Sequence, residues 1–406
     1  MLRYQADINF GTSQWRSGLT DEIQMYEILS IAIAITLSTS VFICIKWHSV
    51  VCTGDTPVSL IAFSAILFTS GLDVGLIMFP LIEFPIYATE EDYSFSNPLA
   101  IEFGFWGFLV WAFYFLTTFY FCVVEPKIGL FQYRSIRWVN NLIIIATCAF
   151  TAYLFLSYAP SYITGISALQ QYLLVAFIIL MGVFSSTHIR YVKLLSLASS
   201  GFFILLTVVM LVASGATTAD LVGSMANLAG YFKNIHRFVS PITDYHGWYL
   251  FWWFAWSIMI GQFVAKFVCG LKTWQLLVAL LVIPSAAIAL WFSTLYYYFS
   301  HDIPVTGTLR WAMVILGILF VVNSLDSLIR LYIDNFGFDV EKLGLKKYIS
   351  GNFLLLSVLV LLYQLTPLKI EWVGLVVIGL YAVIYSLLFK NRRELSHRFT
   401  LTTKKS

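Results

Sequence analysis

One aspartate, Asp73, constrains this chain most, because it lies in the glycine-flanked segment Gly71-Leu72-Asp73-Val74-Gly75. This segment is halfway along an apolar run from residue 57 to 83, which is long enough to cross the hydrocarbon core of a bilayer. Inside a bilayer, unwound backbone or a carboxylate is tolerated only beside a cavity or a polar partner. The sequence therefore predicts a broken membrane helix with a functional site at the break.

The composition excludes a soluble protein. Of the 406 residues, 60% are hydrophobic and 11% are charged, whereas soluble domains contain about 25% charged residues. No polar stretch is long enough for a separate globular domain. We therefore expect an all-α polytopic membrane protein whose first partner is the lipid bilayer. The sequence contains no motif typical of catalysis, so we predict no enzyme, no catalytic residue and no nucleic-acid partner.

Membrane-spanning helices follow from the length of each apolar run. A span needs about 20 apolar residues, and this measure gives about eleven helices. The predicted ranges are 24–46, 57–83, 101–124, 136–158, 168–188, 196–216, 247–269, 272–298, 308–330, 349–366 and 370–390. Residues 221–240 are too polar to span, and we expect an amphipathic helix there on the membrane surface.

The distribution of basic residues predicts the orientation. If the N-terminus lies outside, the inward loops and helix ends contain eighteen of the 24 Lys and Arg residues. Cytoplasmic loops of membrane proteins are rich in these residues. We therefore expect a plasma-membrane protein, in a bacterial inner membrane, with its N-terminus outside and its C-terminus in the cytoplasm.

Two predicted helices, the third and the seventh, are unusually rich in tryptophan and tyrosine. Three such residues of the third helix share a face of about 140°, and several indole faces around one cavity can enclose a quaternary ammonium group. The alternative is that these rings pack between helices or at the membrane interface. The residues are Trp106, Trp111 and Tyr114 in the third helix and Trp252, Trp253 and Trp256 in the seventh.

Polar residues in the ninth and fourth helices suggest an ion site. The ninth contains Asn323-Ser324-Leu325-Asp326-Ser327. Na+ binds hydroxyl, amide and backbone carbonyl oxygens, which this segment and the broken second helix offer, and Thr147 and Thr151 offer a further pair. The alternatives are polar packing between helices for the first group and hydroxyls bonded to the preceding turn for the threonines. Glu83 and Glu102 lie near the outer ends of their spans, where we expect solvated carboxylates.

Four segments together resemble the betaine/choline/carnitine transporter family. Residues 63–76 are similar to its broken first core helix, with the family pattern G-M-G-I-G, and Glu83 falls on the glutamate that follows. The series Trp106-Gly107, Trp111-Ala112, Tyr114 matches the pattern W-G-x-x-x-W-A-x-Y. Residues 249–261 resemble the tryptophan-rich sixth core helix, and Val322-Asn323-Ser324-Leu325-Asp326-Ser327 resembles V-T-S-A-D-S.

The resemblance implies a LeuT-like fold of two inverted five-helix repeats with one extra N-terminal helix. An odd number of helices in each repeat inverts the second repeat relative to the first. The implied divisions are an N-terminal segment with one transmembrane helix (1–56), the first repeat (57–216), an amphipathic linker helix (217–246), the second repeat (247–390) and a basic cytoplasmic tail (391–406).

The resemblance also implies a binding site. The substrate would be a small quaternary ammonium compound inside a box of Trp106, Trp111, Tyr114 and Trp253, with Trp252 and Trp256 along its path. A sodium site would fall on the Gly71 and Leu72 carbonyls with Asn323 and Ser324. We expect Na+ or H+ as the coupling ion and no other cofactor, and the family implies a homotrimer.

Two residues depart from the family pattern. Asn323 replaces a threonine, which weakens the expected sodium site, and Asp73 replaces a glycine. Asp73 is expected to favour a net-cationic substrate such as choline, because a carboxylate at about 5 Å from a cation contributes about 3 kcal/mol at an effective dielectric constant near 20. Two alternatives remain for Asp73, namely binding a coupling proton and capping a half-helix N-terminus.

Three functions are compatible with these observations. The leading one is secondary active transport of choline, glycine betaine or carnitine by rocking of the two repeats around a midplane site. The second is a transport-inactive membrane subunit that acts as a partner or sensor in a heteromeric complex. The third is transport of an unrelated amine or amino acid on the same scaffold, because fold alone does not determine the substrate.

Overall fold

The computed structural model describes residues 15–72 and 74–390, and this part of the chain is almost entirely helical. Its helices vary from one turn to about the thickness of a bilayer. They are α1 (Trp15–Lys46), α2 (Leu60–Ser70), α3 (Val74–Met78), α4 (Pro80–Thr89), α5 (Pro98–Trp106), α6 (Phe108–Phe119), α7 (Glu125–Ile128), α8 (Arg134–Tyr162), α9 (Ala168–Ser185), α10 (Ile189–Ser214), α11 (Thr218–Ala226), α12 (Ala229–Lys233), α13 (Asp244–Ala265), α14 (Thr273–Ser300), α15 (Gly307–Phe336), α16 (Val340–Leu343), α17 (Leu345–Leu365) and α18 (Ile370–Lys390).

The chain is a polytopic all-α membrane protein. Within the described residues, nine helical segments are long and apolar enough to cross a membrane, and each coincides with a predicted span. The two remaining predicted spans are 57–83, which is broken into short helices, and 247–269, which is the single helix α13. Many residues of α13 are tryptophan or tyrosine, whose N–H and O–H groups lower its mean hydropathy, so composition alone does not mark it as a span.

The predicted break in the second span is confirmed. Helix α2 begins after Ser59, whose side chain accepts a hydrogen bond from the Ala62 amide, and it ends at Gly71. The chain becomes helical again at Val74, and a further helix starts at Pro80. Asp73 itself lies outside the described residues.

The third predicted span, 101–124, is not one continuous helix, which corrects the sequence-based expectation. It is divided at Gly107, where φ is −84° and ψ is −149°, so α5 ends and α6 begins there. A Cβ atom at this glycine would lie 2.7 Å from the Phe103 carbonyl oxygen, closer than a van der Waals contact. Because the break lies inside a uniformly apolar run, hydrophobicity did not reveal it.

The linker at 217–246 is also different from the single amphipathic helix that we expected on the membrane surface. It consists of α11, α12 and a 3-10 turn at Ile235–Arg237. This segment packs onto the start of α5, where the Asn97 side-chain amide donates to the Asn227 carbonyl at 2.9 Å. Tyr231 is buried against the ring of Phe103. Protein contacts therefore cover Tyr231 and Leu228, while Val222, Phe232 and Ile235 of the same segment are exposed.

One short antiparallel sheet interrupts the all-helical pattern. Strand β1 (Val51–Thr53) pairs with β2 (Cys269–Lys272), with Val51 opposite Lys272. The pairing continues towards α2, because the Gly54 amide donates to the Val268 carbonyl at 3.0 Å and the Thr56 amide donates to the Lys266 carbonyl at 2.8 Å. The loop before α2 is therefore bonded to the end of α13.

The core lies around α13. This helix packs against α6 on one side and α18 on another, and α15 packs against α8 beside it. Nearly every side chain of α13 from Tyr249 to Ala265 is buried. By contrast, α1, α9, α10, α17 and α18 each expose a large apolar face, as expected for helices in contact with lipid. The buried helices α5, α6 and α13 carry the aromatic residues that the sequence analysis selected.

Candidate functional site

Four of the predicted tryptophans form one buried cluster. Trp106 at the end of α5 contacts Trp252 and Trp253 of α13 edge to face, with ring centroids 5.7 and 5.0 Å apart. Trp256 stands at 90° to Trp252 at 6.0 Å. Their side chains are at most 1% exposed. The break at Gly107 brings α5 and α13 together in this way, so the tryptophans face one another and not lipid.

Trp111 and Tyr114 lie on α6, beside the break in the second span. Their rings meet edge to face with centroids 5.4 Å apart. The Trp111 indole Nε1 donates to the Trp106 carbonyl at 3.2 Å, and the Tyr114 hydroxyl lies 3.5 Å from the Gly71 carbonyl oxygen. These two residues therefore connect the aromatic cluster to the interrupted helix.

Both glycines at the break are positions where an indole ring lies against the backbone. A Cβ atom at Gly75 would lie 2.5 Å from Cη2 of Trp106, and one at Gly71 would lie 3.1 Å from Cη2 of Trp111. Only glycine allows this approach without displacement of the rings. The sequence analysis predicted a break here, and the structure adds that the break is lined by two of the predicted box residues.

The indole N–H groups of the cluster differ in their hydrogen bonding. Trp253 donates to the Phe105 carbonyl at 2.8 Å, whereas Trp106, Trp252 and Trp256 have buried Nε1 atoms without a geometric hydrogen-bond partner among the described residues. Buried donors normally have partners, so three free donors mark a place where a polar ligand group gains hydrogen bonds. Trp252 and Trp253 also stack on each other, with ring centroids 4.5 Å apart. Their two facing indole surfaces therefore pack against each other, as the alternative interpretation of these tryptophans expects.

The predicted sodium ligands are only partly brought together. The Ser324 hydroxyl donates to the Leu72 carbonyl at 3.1 Å, so these two groups are adjacent across α15 and the break. The Asn323 amide turns to α10 instead, where it donates to the Ser199 hydroxyl at 2.8 Å and accepts from Ser196 at 3.3 Å. In this arrangement the four expected ligands do not form one complete oxygen cage.

The two threonines of α8 follow the alternative interpretation. The Thr147 hydroxyl donates to the Ile143 carbonyl at 2.6 Å, and the Thr151 hydroxyl donates to the Thr147 carbonyl at 3.2 Å. Both groups therefore satisfy the preceding turn of their own helix, as is common for buried threonine. Neither shows a contact to Gly71 or Leu72.

Asp326 belongs to helix packing in this structure. Its carboxylate forms an ion pair with Arg330, one turn along α15, at 2.9 Å, and accepts from the Ser185 hydroxyl at 2.7 Å. Arg330 also donates to the Ser185 carbonyl at 3.3 Å. This group fixes α15 against α9 and leaves no free carboxylate for a ligand.

The expectation of a solvated Glu83 was wrong. Its side chain is 1% exposed and accepts hydrogen bonds from three tyrosines. Tyr87 donates to Oε2 at 2.7 Å, Tyr249 donates to both oxygens at 3.0 and 3.1 Å, and Tyr245 makes a short bond to Oε1. Helix α4 turns inward after the break and so carries Glu83 against α13 instead of into the headgroup region.

Glu102 on α5 is also buried, at 0% exposure, which corrects the second expectation of a solvated carboxylate. Its carboxyl group lies beside that of Glu83 and the side chains of Tyr87 and Trp106. Neither of its oxygens has a donor in hydrogen-bond geometry among the described residues, although the Tyr87 hydroxyl and the Trp106 indole N–H lie next to it. The structure therefore contains a buried carboxyl pair next to the aromatic cluster, which sequence reasoning missed. A signal was present, since Tyr87 follows Glu83 by one helical turn and Tyr245 and Tyr249 are spaced by one turn.

A cavity of about 370 Å³ opens near this pair. It lies between the ends of α4, α8 and α14 and the start of α15, which is the outer side in the predicted orientation. Polar residues at its wall are Ser161, Tyr162, Asp302 and Arg310. At the same end, partial burial and the neighbouring Asp92 raise the pKa of Glu90. The cavity gives one route by which solvent approaches the interior.

Comparisons with known proteins point to one group of transporters, although no family model matches the chain. A glycine betaine transporter of Acinetobacter baylyi is 20% identical over 78% of this chain and 58% of its own length. A glycine betaine transporter of Bacillus subtilis is 21% identical over 58% of this chain and 54% of its own. A glycine betaine/proline/choline transporter of Vibrio parahaemolyticus is 32% identical over 85 residues, 19% of this chain and 15% of its own.

The chain spans about half the length of the Acinetobacter and Bacillus relatives. Among solved structures, a Na+-coupled sialic acid symporter in a substrate-bound outward-open state aligns with a TM-score of 0.48 and 15% identity, over 88% of this chain and 85% of that one. At low identity, the chain is similar to glycine betaine and choline transporters.

Proposed function

We propose that this protein is a secondary active transporter that moves a small quaternary ammonium compound across a plasma membrane by alternating access. The observation that carries the proposal is the buried cluster of Trp106, Trp252, Trp253 and Trp256 beside a broken membrane helix. Indole faces attract methylated ammonium groups, and three indole N–H groups there have no geometric partner among the described residues. The relatives, which are transporters and not enzymes, support the same class.

The substrate is a trimethylammonium compound of the choline, glycine betaine or carnitine type. The walls of its site are Trp106, Trp111, Tyr114 and Trp253. The path of the substrate to this site is lined by Trp252 and Trp256. Asp73 selects among substrates by their charge. A carboxylate beside the cluster attracts a net cation more strongly than a zwitterion, whose own carboxylate opposes it. This assigns choline-like cations as the preferred substrates.

The wider architecture belongs to the same proposal. Residues 57–216 and 247–390 are the two inverted repeats, residues 24–46 add one helix before them, and the N-terminus lies outside. The coupling ion is Na+ or H+. For Na+, the Leu72 carbonyl and the Ser324 hydroxyl are the ligands already adjacent, while Gly71 and Asn323 would have to turn towards them and Thr147 and Thr151 would have to leave their own helix.

The experiment that tests the function is uptake into proteoliposomes that contain the purified chain. Labelled choline, glycine betaine and carnitine are supplied under separately imposed sodium and pH gradients, and counterflow is measured without any gradient. We expect saturable counterflow of at least one of these compounds. Transport of only an unrelated amine, or of none of the three, overturns the proposal.

A second function is favoured by one observation. Trp252 and Trp253 stack on each other, and Ser324 is bonded to Leu72, so parts of the expected substrate and ion sites are satisfied internally. A transport-inactive subunit in a heteromeric membrane complex would have such a packed centre. Absence of flux under every gradient, with a stoichiometric membrane protein retained through purification, would support this function instead.

A further inference from the structure

We propose that Glu83 and Glu102 together form a proton-binding site, which makes H+ the coupling ion of the transporter. The inference rests on the proposed function for its role in transport, but the site itself stands on the geometry of α4, α5 and α13. No relative's name and no family motif assigns this pair a function here.

The hydrogen bonds assign different states to the two carboxyl groups. Glu83 accepts from three tyrosine hydroxyls, and O–H donors of this kind stabilise a carboxylate. Glu102 lies against Glu83, Tyr87 and Trp106, but no donor reaches it in hydrogen-bond geometry, since the Tyr87 hydroxyl already donates to Glu83. One proton on Glu102, donated to Glu83, satisfies both groups at once. Like carboxyl dyads in general, the pair then holds the proton jointly.

Two adjacent buried carboxylates without a cation would be strongly unfavourable. Within residues 15–72 and 74–390, the ion pairs are Lys266–Asp334, Arg330–Asp326 and Lys342–Asp339, so no basic side chain neutralises Glu83 or Glu102. The packed arrangement of α4, α5 and α13 therefore requires the shared proton. Loss of the proton leaves two facing negative charges and loosens this packing.

The other titratable groups around the pair are almost all tyrosines. His246 stacks on Phe105. Arg310 lies at the cavity, where it interacts electrostatically with Tyr162. It forms no ion pair with a carboxylate of the described residues. Asp302 and Arg310 line the cavity. Asp92 interacts electrostatically with Tyr93 and Glu90 at the outer end of α4. The tyrosines that interact with one or both carboxyl groups are Tyr87, Tyr93, Tyr158, Tyr162, Tyr245 and Tyr249, and Tyr296 of α14 packs against Phe84.

In this proposal the route from solvent to the pair runs past Tyr162. This residue lines the outer cavity, and it lies close enough to interact with both Glu83 and Glu102. Its hydroxyl is buried and has no hydrogen-bond partner among the described residues. A phenol hydroxyl both donates and accepts, so a rotation that brings the Tyr162 hydroxyl to hydrogen-bond distance of the pair would complete a proton path from the cavity.

Tyr249 joins the pair to the substrate site. Its hydroxyl donates to Glu83, and its ring contacts Trp106 edge to face with centroids 5.7 Å apart. Trp106 is also a neighbour of Glu102. A substrate that moves Trp106 therefore changes the surroundings of both carboxyl groups. This is a continuous physical connection between the two sites, and it couples proton binding to the closing of α4 and α5 around the substrate.

The test combines a spectroscopic and a transport measurement on the full chain in proteoliposomes. Infrared difference spectra between acidic and alkaline buffer detect the C=O stretch of a protonated buried carboxyl group. We expect this band in the wild type, its loss in Glu102→Gln and a shift or loss in Glu83→Gln. Glu90→Gln, which removes an exposed carboxylate at the outer end of α4, is the matched control and should keep the band.

The same variants are compared for choline accumulation driven by an inward-directed proton gradient. We expect Glu102→Gln to lose the accumulation and Glu90→Gln to retain it. A wild type without a pH-dependent carboxyl band overturns the proposal even if neither glutamine variant folds. Accumulation that follows only a sodium gradient overturns it as well, while wild-type counterflow shows that the transport function stands. A band that survives Glu102→Gln and disappears in Asp73→Asn assigns the proton to Asp73 and also overturns it.

If no ammonium compound shows counterflow, the proposed function fails separately. The infrared band and its loss in Glu102→Gln then decide the proton site alone.

Discussion

The Tyr249 hydroxyl donates hydrogen bonds to both carboxylate oxygens of Glu83, at 3.0 and 3.1 Å. Both residues are fully buried, and they lie on helices that are far apart in the sequence, α4 and α13. The ring of the same tyrosine contacts Trp106, so Tyr249 connects the buried carboxyl pair to the tryptophan cluster. Each can be disturbed separately by substitution.

Replacement of Tyr249 by phenylalanine removes one donor from a buried carboxylate and leaves the ring contact with Trp106 in place. We expect a loss of about 1.5–3 kcal/mol in the free energy of unfolding. The pH profile of uptake should also change, because the carboxyl pair loses one of the hydroxyl groups that surround it. Thermal unfolding and pH profiles of uptake measure the two effects. Tyr381→Phe, which removes a donor to the Ser257 hydroxyl, should lower stability without moving the profile.

Replacement of Trp252 by leucine tests the aromatic cluster. The Trp252 Nε1 atom has no geometric partner among the described residues, so the change removes a π face without breaking an observed hydrogen bond. A lost cation–π contact of about 0.5–2 kcal/mol corresponds to a Kd for choline about two- to thirtyfold higher. Equilibrium binding measures it. The control is Trp372→Leu in α18, whose ring is 48% exposed, and an equal effect of both variants would contradict the site.

Replacement of Gly75 by alanine tests the close approach of an indole to the broken helix. The new Cβ atom would lie 2.5 Å from Cη2 of Trp106, so the buried ring must move. We expect a cost of about 1–3 kcal/mol in stability and loss of substrate binding. Gly201→Ala in α10 is the matched control, because nothing lies within 4 Å of its added methyl group. Wild-type affinity in Gly75→Ala would show that the ring position is not needed.

Replacement of Arg330 by methionine leaves Asp326 buried without its cation. Breaking a buried ion pair from one side costs about 3–5 kcal/mol, and we expect a correspondingly lower free energy of unfolding in detergent. The pair Lys342–Asp339 is exposed on both sides, so Lys342→Met should change stability by less than about 1 kcal/mol. Similar stabilities of the two variants would show that the Asp326–Arg330 pair is dispensable.

Replacement of Asp73 by glycine restores the glycine of the family pattern. If Asp73 selects substrates by their charge, the wild type should prefer choline and the variant should prefer glycine betaine. Competition for uptake between the two labelled compounds gives the ratio directly. Unchanged selectivity together with an unchanged pH dependence would remove Asp73 from the site and leave it as a helix cap.

The sequence was sufficient for features that depend on hydrophobic length and on glycine. Nine of the predicted spans coincide with apolar helices, and the break after Gly71 was predicted because glycine and a carboxylate interrupt an apolar run. The tryptophans of α5 and α13 were selected by their density. The break at Gly107 was not predicted, since one glycine in an apolar stretch resembles ordinary helix packing.

The carboxyl pair could not be predicted from span ends. Glu83 and Glu102 are close to the outer ends of their runs in sequence, but α4 and α5 tilt back into the protein, so both groups are buried. The local sequence does not predict this orientation, because it results from the packing of α4 and α5 on α13 and α14. The orientation of Asn323 towards Ser199 has the same origin, because a helix residue faces whichever neighbour the assembled bundle provides.

The short β1–β2 sheet limits how the molecule can move. Its backbone bonds, together with those from Gly54 and Thr56 to the end of α13, tie the start of one proposed repeat to the first helix of the other. Sliding one segment past the other would break several of these bonds at once. We therefore expect these two segments to move together in a transport cycle, so that the leading helices of both proposed repeats belong to one moving body.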